Sequence, residues 1–187
     1  MPSPSSDHPE GTTIRRSWGA FLATAAVAAV VAGADQLSKA IALDQLSETE
    51  RIPLLGNALG LQLAFNPGSA FSLGENSTWL FTIFSAIVAV GILFVARRIT
   101  TTRWAITGGL IWGGAVGNLL DRLFADPGFG RGYVTDFLAY GNFFIGNLAD
   151  IALVVGMILG VLLTVTRRDE AEHAQQSATA TDGQQAT

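Results

Sequence analysis

Carboxylates carry the chemistry open to this chain. It has no cysteine, and its two histidines, His8 and His173, lie in polar tails. Thiolate catalysis, disulfides and cysteine-based metal sites are therefore excluded, and a histidine triad or zinc centre is disfavoured. The acids of interest fall into small clusters. Asp35 and Lys39 are spaced i, i+4, so they share a helix face and can pair; a snorkelling interfacial pair reads the same way. Asn118, Asp121 and Arg122 follow at i, i+3, i+4, and Asn147 and Asp150 repeat the Asn-x-x-Asp spacing. Helix capping suits Asn147. It suits Asp121 poorly, because a carboxylate at a helix C-terminus opposes the macrodipole, a cost that Arg122 offsets in part. Asp136 sits in the run Tyr133-Val134-Thr135-Asp136-Phe137-Leu138. It reads either as a solvated loop acid or as a carboxylate held among bulky apolar neighbours, and the neighbours favour the second. Such a group has a raised pKa, more so beside another carboxylate. Two acids sharing a proton can activate water and protonate a leaving amine.

The elements that must position these groups are membrane helices. Charged residues make up 14% of the chain, against about 25% in soluble domains. The deficit is concentrated in four charge-free stretches, 17–34, 76–96, 104–120 and 151–166. A bilayer core needs roughly 17–25 apolar residues as helix. The first three stretches reach that length, and the fourth gains it from 147–150. The expected fold is a mainly α membrane protein with four transmembrane helices. The pattern Arg15, Arg16, an alanine-rich run and Ala32-Gly33-Ala34 also resembles a cleavable signal peptide, but Asp35 and Lys39 follow in helical register and favour an uncleaved anchor. Seven Lys and Arg on the side of the termini, against four on the other, place both termini in the cytoplasm. Segments 35–75 and 121–150 then face outward. Residues 52–65 are short apolar runs broken by Gly, Pro and Asn, which predicts a small extracytoplasmic sheet. Gly113-x-x-x-Gly117 and Gly156-x-x-x-Gly160 predict close helix packing. The polar compositions of 1–13 and 169–187 read as disordered cytoplasmic tails around a membrane domain at 14–168.

Five segments together resemble the lipoprotein signal peptidases (signal peptidase II). Asp35-Gln36-Leu37-Ser38-Lys39 resembles their D-Q-x-x-K motif, and Asn66-Pro67-Gly68-Ser69-Ala70-Phe71 their N-x-G-x-A-F segment. Residues Gly113 to Arg122 are similar to G-G-A-x-G-N-x-x-D-R, Val134-Thr135-Asp136-Phe137 to V-V-D-F, and Asn147-Leu148-Ala149-Asp150 to the end of F-N-x-A-D. The order is the family's. The resemblance implies an aspartic endopeptidase of the bacterial cytoplasmic membrane with Asp136 and Asp150 as its catalytic pair. It implies that Asn66, Gly68, Asn118, Asp121, Arg122, Asn147 and Ala149 line or support the site, with Asp35 and Lys39 behind them. It also implies a loop or lid over the site within 52–71, no metal or organic cofactor, and no nucleic-acid partner. The partners it implies are membrane lipids, diacylglyceryl-modified prolipoproteins cut before the lipidated cysteine, and globomycin-type inhibitors. The chain departs from the pattern at Thr135 and Gly146, where valine and phenylalanine are usual, and in an extra turn at 126–130. The rival reading, a small ion-coupled carrier, expects acids along a path across the membrane; here they fall in one layer.

Overall fold

The computed structural model describes residues 10–68 and 78–185, with side chains over 18–68 and 78–166. The charge-free stretches form helices α1 (Glu10–Gln45), α2 (Thr78–Ala96), α3 (Thr102–Phe124) and α4 (Leu148–Gln185). Between them lie strands β1 (Ile52–Leu55), β2 (Leu59–Asn66), β3 (Val134–Tyr140) and β4 (Phe144–Gly146). The arrangement is a mainly helical membrane fold with a small antiparallel sheet.

Helix α3 is the hub and packs against α1, α2 and α4. Its glycines permit this. A Cβ on Gly113 would lie 2.6 Å from Val31 Cβ on α1, and one on Gly114 would lie 2.6 Å from the Ala149 carbonyl on α4. Gly156 of α4 receives Ile111 of α3 in the same way. In the small-x-x-x-small patterns Gly113, Gly117 and Gly156 therefore mark real close approaches, while a Cβ on Gly160 would meet only Thr107 at 3.6 Å.

The expectation of four spans is met in part. Among the described residues, three helices are long and apolar enough to cross a membrane, at Trp18–Gln45, Thr78–Ala96 and Leu148–Thr166. The stretch that looked short, in α4, is one of them, and α3 is not. With 23 residues, α3 is about 34 Å long at 1.5 Å per residue, so its length suffices. Its composition differs because its neighbours are helices, and Gly109, Gly113, Gly114, Gly117, Asp121 and Arg122 are buried there, whereas Arg103 at its start is exposed.

The sheet has order β1-β2-β3-β4, antiparallel throughout. The segment 52–71 supplies only half of it. The expected lid is not seen in its described part, which is strand up to Asn66; Ser69, Ala70 and Phe71 lie outside the described residues. The other half comes from 134–146, which corrects the reading of Asp136 as a loop residue. It lies on β3, paired with Ala64 of β2. The first four residues of β3 are all buried, with α1 and α3 against the strand. A strand covered on both faces shows no alternation of polar and apolar residues, so its period is hidden. Arg51 ties the sheet's turns together, donating to the carbonyls of Gly141 (2.7 Å) and Asn57 (3.3 Å). At the other end of the molecule α4 continues as helix to Gln185, through the segment read as a disordered tail; its Ala, Glu and Gln are strong helix formers.

Candidate active site

Asp136 is carried to the end of the helix bundle by β3 and exposes 2% of its surface. Two amides hold it. Asn66, at the end of β2, donates to Oδ2 at 3.2 Å, and Asn147 donates to Oδ1 at 2.6 Å. Asn147 caps α4. Its Oδ1 accepts the Asp150 N–H at 3.0 Å, while Asp150 Oδ2 accepts the Asn147 N–H at 3.1 Å. This is a reciprocal capping box, with Asp150 in the position Glu or Gln usually holds. Residue 146 touches it too: a Cβ on Gly146 would lie 2.9 Å from Asp150 Oδ2. Asn147 is thus bonded to both acids.

Asn118 is the second bridge. Its Nδ2 donates to Asp150 Oδ1 at 2.9 Å, and its Oδ1 accepts from Asn147 at 3.1 Å and from Lys39 Nζ at 3.2 Å. Lys39 lies between two carboxylates, 2.7 Å from Asp35 and 2.9 Å from Asp121. All three are buried, which overturns the snorkelling alternative for the Asp35–Lys39 pair. Each acid also fixes backbone. Asp35 accepts the Ala149 N–H at 2.9 Å, holding the start of α4, and Asp121 accepts the Thr135 N–H at 2.9 Å, holding β3 one residue before Asp136. Gly117 leaves the room Asp35 needs, since a Cβ there would lie 2.6 Å from its Oδ2.

Two roles go beyond expectation. The cost of Asp121 at a helix end is met by its ion pair with Lys39, and the charge of adjacent Arg122 offsets part of it as expected, while Arg122 itself makes further contacts. Its guanidinium donates to the Pro67 carbonyl at 3.4 Å and stacks on Phe81 at 5.5 Å from the ring centroid. Gly68 lies beside it with φ +90°, and its N–H donates to Asn66 Oδ1 at 2.8 Å, orienting the amide that reaches Asp136. The residue missed by sequence reasoning is Gln36. Its Nε2 donates to Asp121 at 2.9 Å and to the Gly117 carbonyl at 3.1 Å. The available signal was an amide at the polar end of an apolar helix, next to an acid.

Burial pushes the Asp136 carboxyl up from 3.8 to about 6. The Asp150 charge raises it further, while the Asn147 and Asn66 amides and the Lys39 charge pull it back. The site therefore holds one buried acid that keeps its proton up to about pH 6 and a second, less buried acid linked to it through Asn147. That combination can deliver a proton and withdraw one. The four acids Asp35, Asp121, Asp136 and Asp150 form one connected cluster rather than a path, and the carrier reading is not favoured.

Residues 27–166 match the family model described as Signal peptidase (SPase) II. The chain is similar to the lipoprotein signal peptidase of Leifsonia xyli subsp. xyli, 45% identical over 152 residues, covering 81% of this chain and 70% of that one. It is 39% identical over 157 residues to the lipoprotein signal peptidase of Mycobacterium avium, covering 80% and 86% of the two chains. Among solved structures, a bacterial membrane enzyme determined by the in meso method superposes with a TM-score of 0.67 at 23% identity, over 79% of this chain and 90% of that one. This last likeness speaks for the fold alone. With the family model spanning most of the chain and relatives this similar, the chain belongs to the signal peptidase II family.

Proposed function

We propose that this protein is an aspartic endopeptidase that removes signal peptides from diacylglyceryl-modified prolipoproteins, with Asp136 and Asp150 as its catalytic pair. The observation that carries the reading is Asn147, bonded to both carboxylates at the end of the bundle where the sheet lies. Asp150 takes a proton from water, and the hydroxide adds to the scissile carbonyl carbon while Asp136 donates its proton to the carbonyl oxygen. Collapse of the tetrahedral intermediate breaks the C–N bond as the leaving nitrogen takes the proton held by Asp150 and a hydroxyl of the intermediate returns a proton to Asp136 while its C=O re-forms. Asn118, itself held by Lys39, holds Asp150, Asn66 and Asn147 hold Asp136, and no cofactor takes part. The helices, α3 included, span the membrane with both termini in the cytoplasm, as the arginine bias directs. Acyl chains of the substrate stay in the bilayer while the peptide reaches the dyad.

The direct test is incubation of purified protein with a lipidated prolipoprotein. The signal peptide is released, globomycin blocks release, and the unlipidated precursor is spared. Equal cutting of both precursors would contradict the substrate assignment. Topology is checked separately. Reporters fused after Arg98 or Arg168 read as cytoplasmic, and those at Gln45 or Gly130 as external. A cytoplasmic Gly130 puts Asp136 on the wrong face.

Acidity offers a further test. The shared proton is present below the raised pKa of Asp136 and lost above it, so kcat/KM declines as pH rises through about 6. The same shift acts on stability. The folded state binds this proton more tightly than the unfolded chain, so the contribution is complete below 3.8 and lost as pH rises through about 6. A kcat/KM that rises across that interval would mean that Asp136 acts only as a base.

A further inference from the structure

At the end of the bundle away from the sheet, the turn between α2 and α3 borders an open cavity of about 160 Å³ lined by Val95, Arg98, Ile99, Thr100 and Trp104. We propose that it is a binding site for the headgroup of an anionic phospholipid of the cytoplasmic leaflet. Between residues 76 and 120 the only charges are Arg97, Arg98 and Arg103, so the region is purely cationic. Arg97 is turned onto the exposed Phe94, 5.5 Å from its ring centroid. Arg98 is the cation on the cavity wall, and among the described residues it has no ion-pair partner. A guanidinium with a nearby hydroxyl suits a phosphodiester. The rest of the wall matches the remainder of a lipid. Val95 is mostly exposed on the lipid-facing side, continuous with the apolar surface of α2, and a tryptophan at this depth suits the headgroup boundary.

The cavity is rigidly framed. Helix α2 ends with Arg98 N–H donating to the Val95 carbonyl at 2.9 Å and Ile99 N–H to the Ala96 carbonyl at 3.2 Å. Helix α3 begins with Thr101 as its N-cap, its hydroxyl accepting the Trp104 N–H at 3.4 Å. Ala96, Ile99 and Ala105 form a buried cluster beneath, packed by Ala20, Phe21 and Trp104. Positive charge on this side of a membrane has a general cause in topology, but topology alone requires no cavity. The assignment to the cytoplasmic leaflet rests on the arginine bias; the binding itself rests on neither topology nor catalysis.

The test is native mass spectrometry of the intact protein in neutral detergent, titrated with short-chain phosphatidylglycerol or phosphatidylcholine. One phosphatidylglycerol is retained in preference to phosphatidylcholine, and Arg98→Gln weakens its retention about fivefold, the value of one cation at a membrane surface. Arg103→Gln removes the same charge outside the cavity lining and keeps the preference. Inorganic phosphate does not displace the lipid, because the apolar wall contributes to binding. Equal retention of the two lipids, equal loss in both variants, or displacement by phosphate would each overturn the proposal. Cleavage by the Arg98→Gln protein stays normal, so failure here is distinguishable from failure of the peptidase assignment.

Discussion

An Asp136→Asn protein is expected to insert and fold yet lose roughly 10²–10⁴-fold in turnover, the range typical of a positioned acid or base. Asparagine keeps the shape of the side chain and still offers one oxygen to the amides of Asn66 and Asn147. It has no proton to donate at the pH of the assay. Asp150→Asn is expected to show the same loss by the complementary route, since an amide cannot take the proton from water. The deficit belongs in kcat, because these interactions matter in the transition state. Combining the two substitutions adds little, as expected of groups that act as a unit. Asp121→Asn is the control. Its carboxylate holds Lys39 and the Thr135 N–H, so the variant is expected to lower folded yield along with activity. A folded and active Asp136→Asn protein, beside a folded and inactive Asp121→Asn protein, would move the dyad to α3.

The second large effect concerns Lys39. Its ammonium lies within 3 Å of both Asp35 and Asp121, and its side chain is 3% exposed. Lys39→Met leaves two buried carboxylates facing each other without a cation. Breaking such a set by removing one partner costs about 3–5 kcal/mol, enough to exhaust much of a domain's stability. The expected outcome is a steep loss of folded protein in detergent, read as yield and as Tm. Neutralising the acids as well, in Lys39→Met with Asp35→Asn and Asp121→Asn, is expected to restore part of the Tm, because the uncompensated charge is gone. A Lys39→Met protein with the parent's Tm would show that water reaches the cluster and screens it.

The helices were legible because absence of charge over a membrane's thickness is a blunt signal. The same signal is weakest for α3. That helix lacks charge over 104–120 but packs against α1, α2 and α4, and its glycines, read as packing marks, were the better guide to its place. Strand β3 was hidden for a related reason. Periodicity reports one covered face and one open face, and Val134 to Phe137 are buried throughout. The acids were legible through their spacing and family resemblance, but their distant partners were not. The attraction of Asp121 to adjacent Arg122 was legible, but its ion pair with Lys39 from another helix was not. Gln36 has no charge and no period, and its three acceptors lie at sequence separations of 1, 81 and 85.

The capping box of α4 also sets when the proposed enzyme can work. Asn147 and Asp150 belong to the last helix in the chain, and their mutual hydrogen bonds form only when its first turn is wound. The Ala149 N–H must also reach Asp35 on the first helix. A nascent chain still missing α4 would carry Asp136 without its partner and without Asn147, and so would be inert. Order of synthesis then serves as a safeguard: proteolytic competence arrives with α4, when it meets α1.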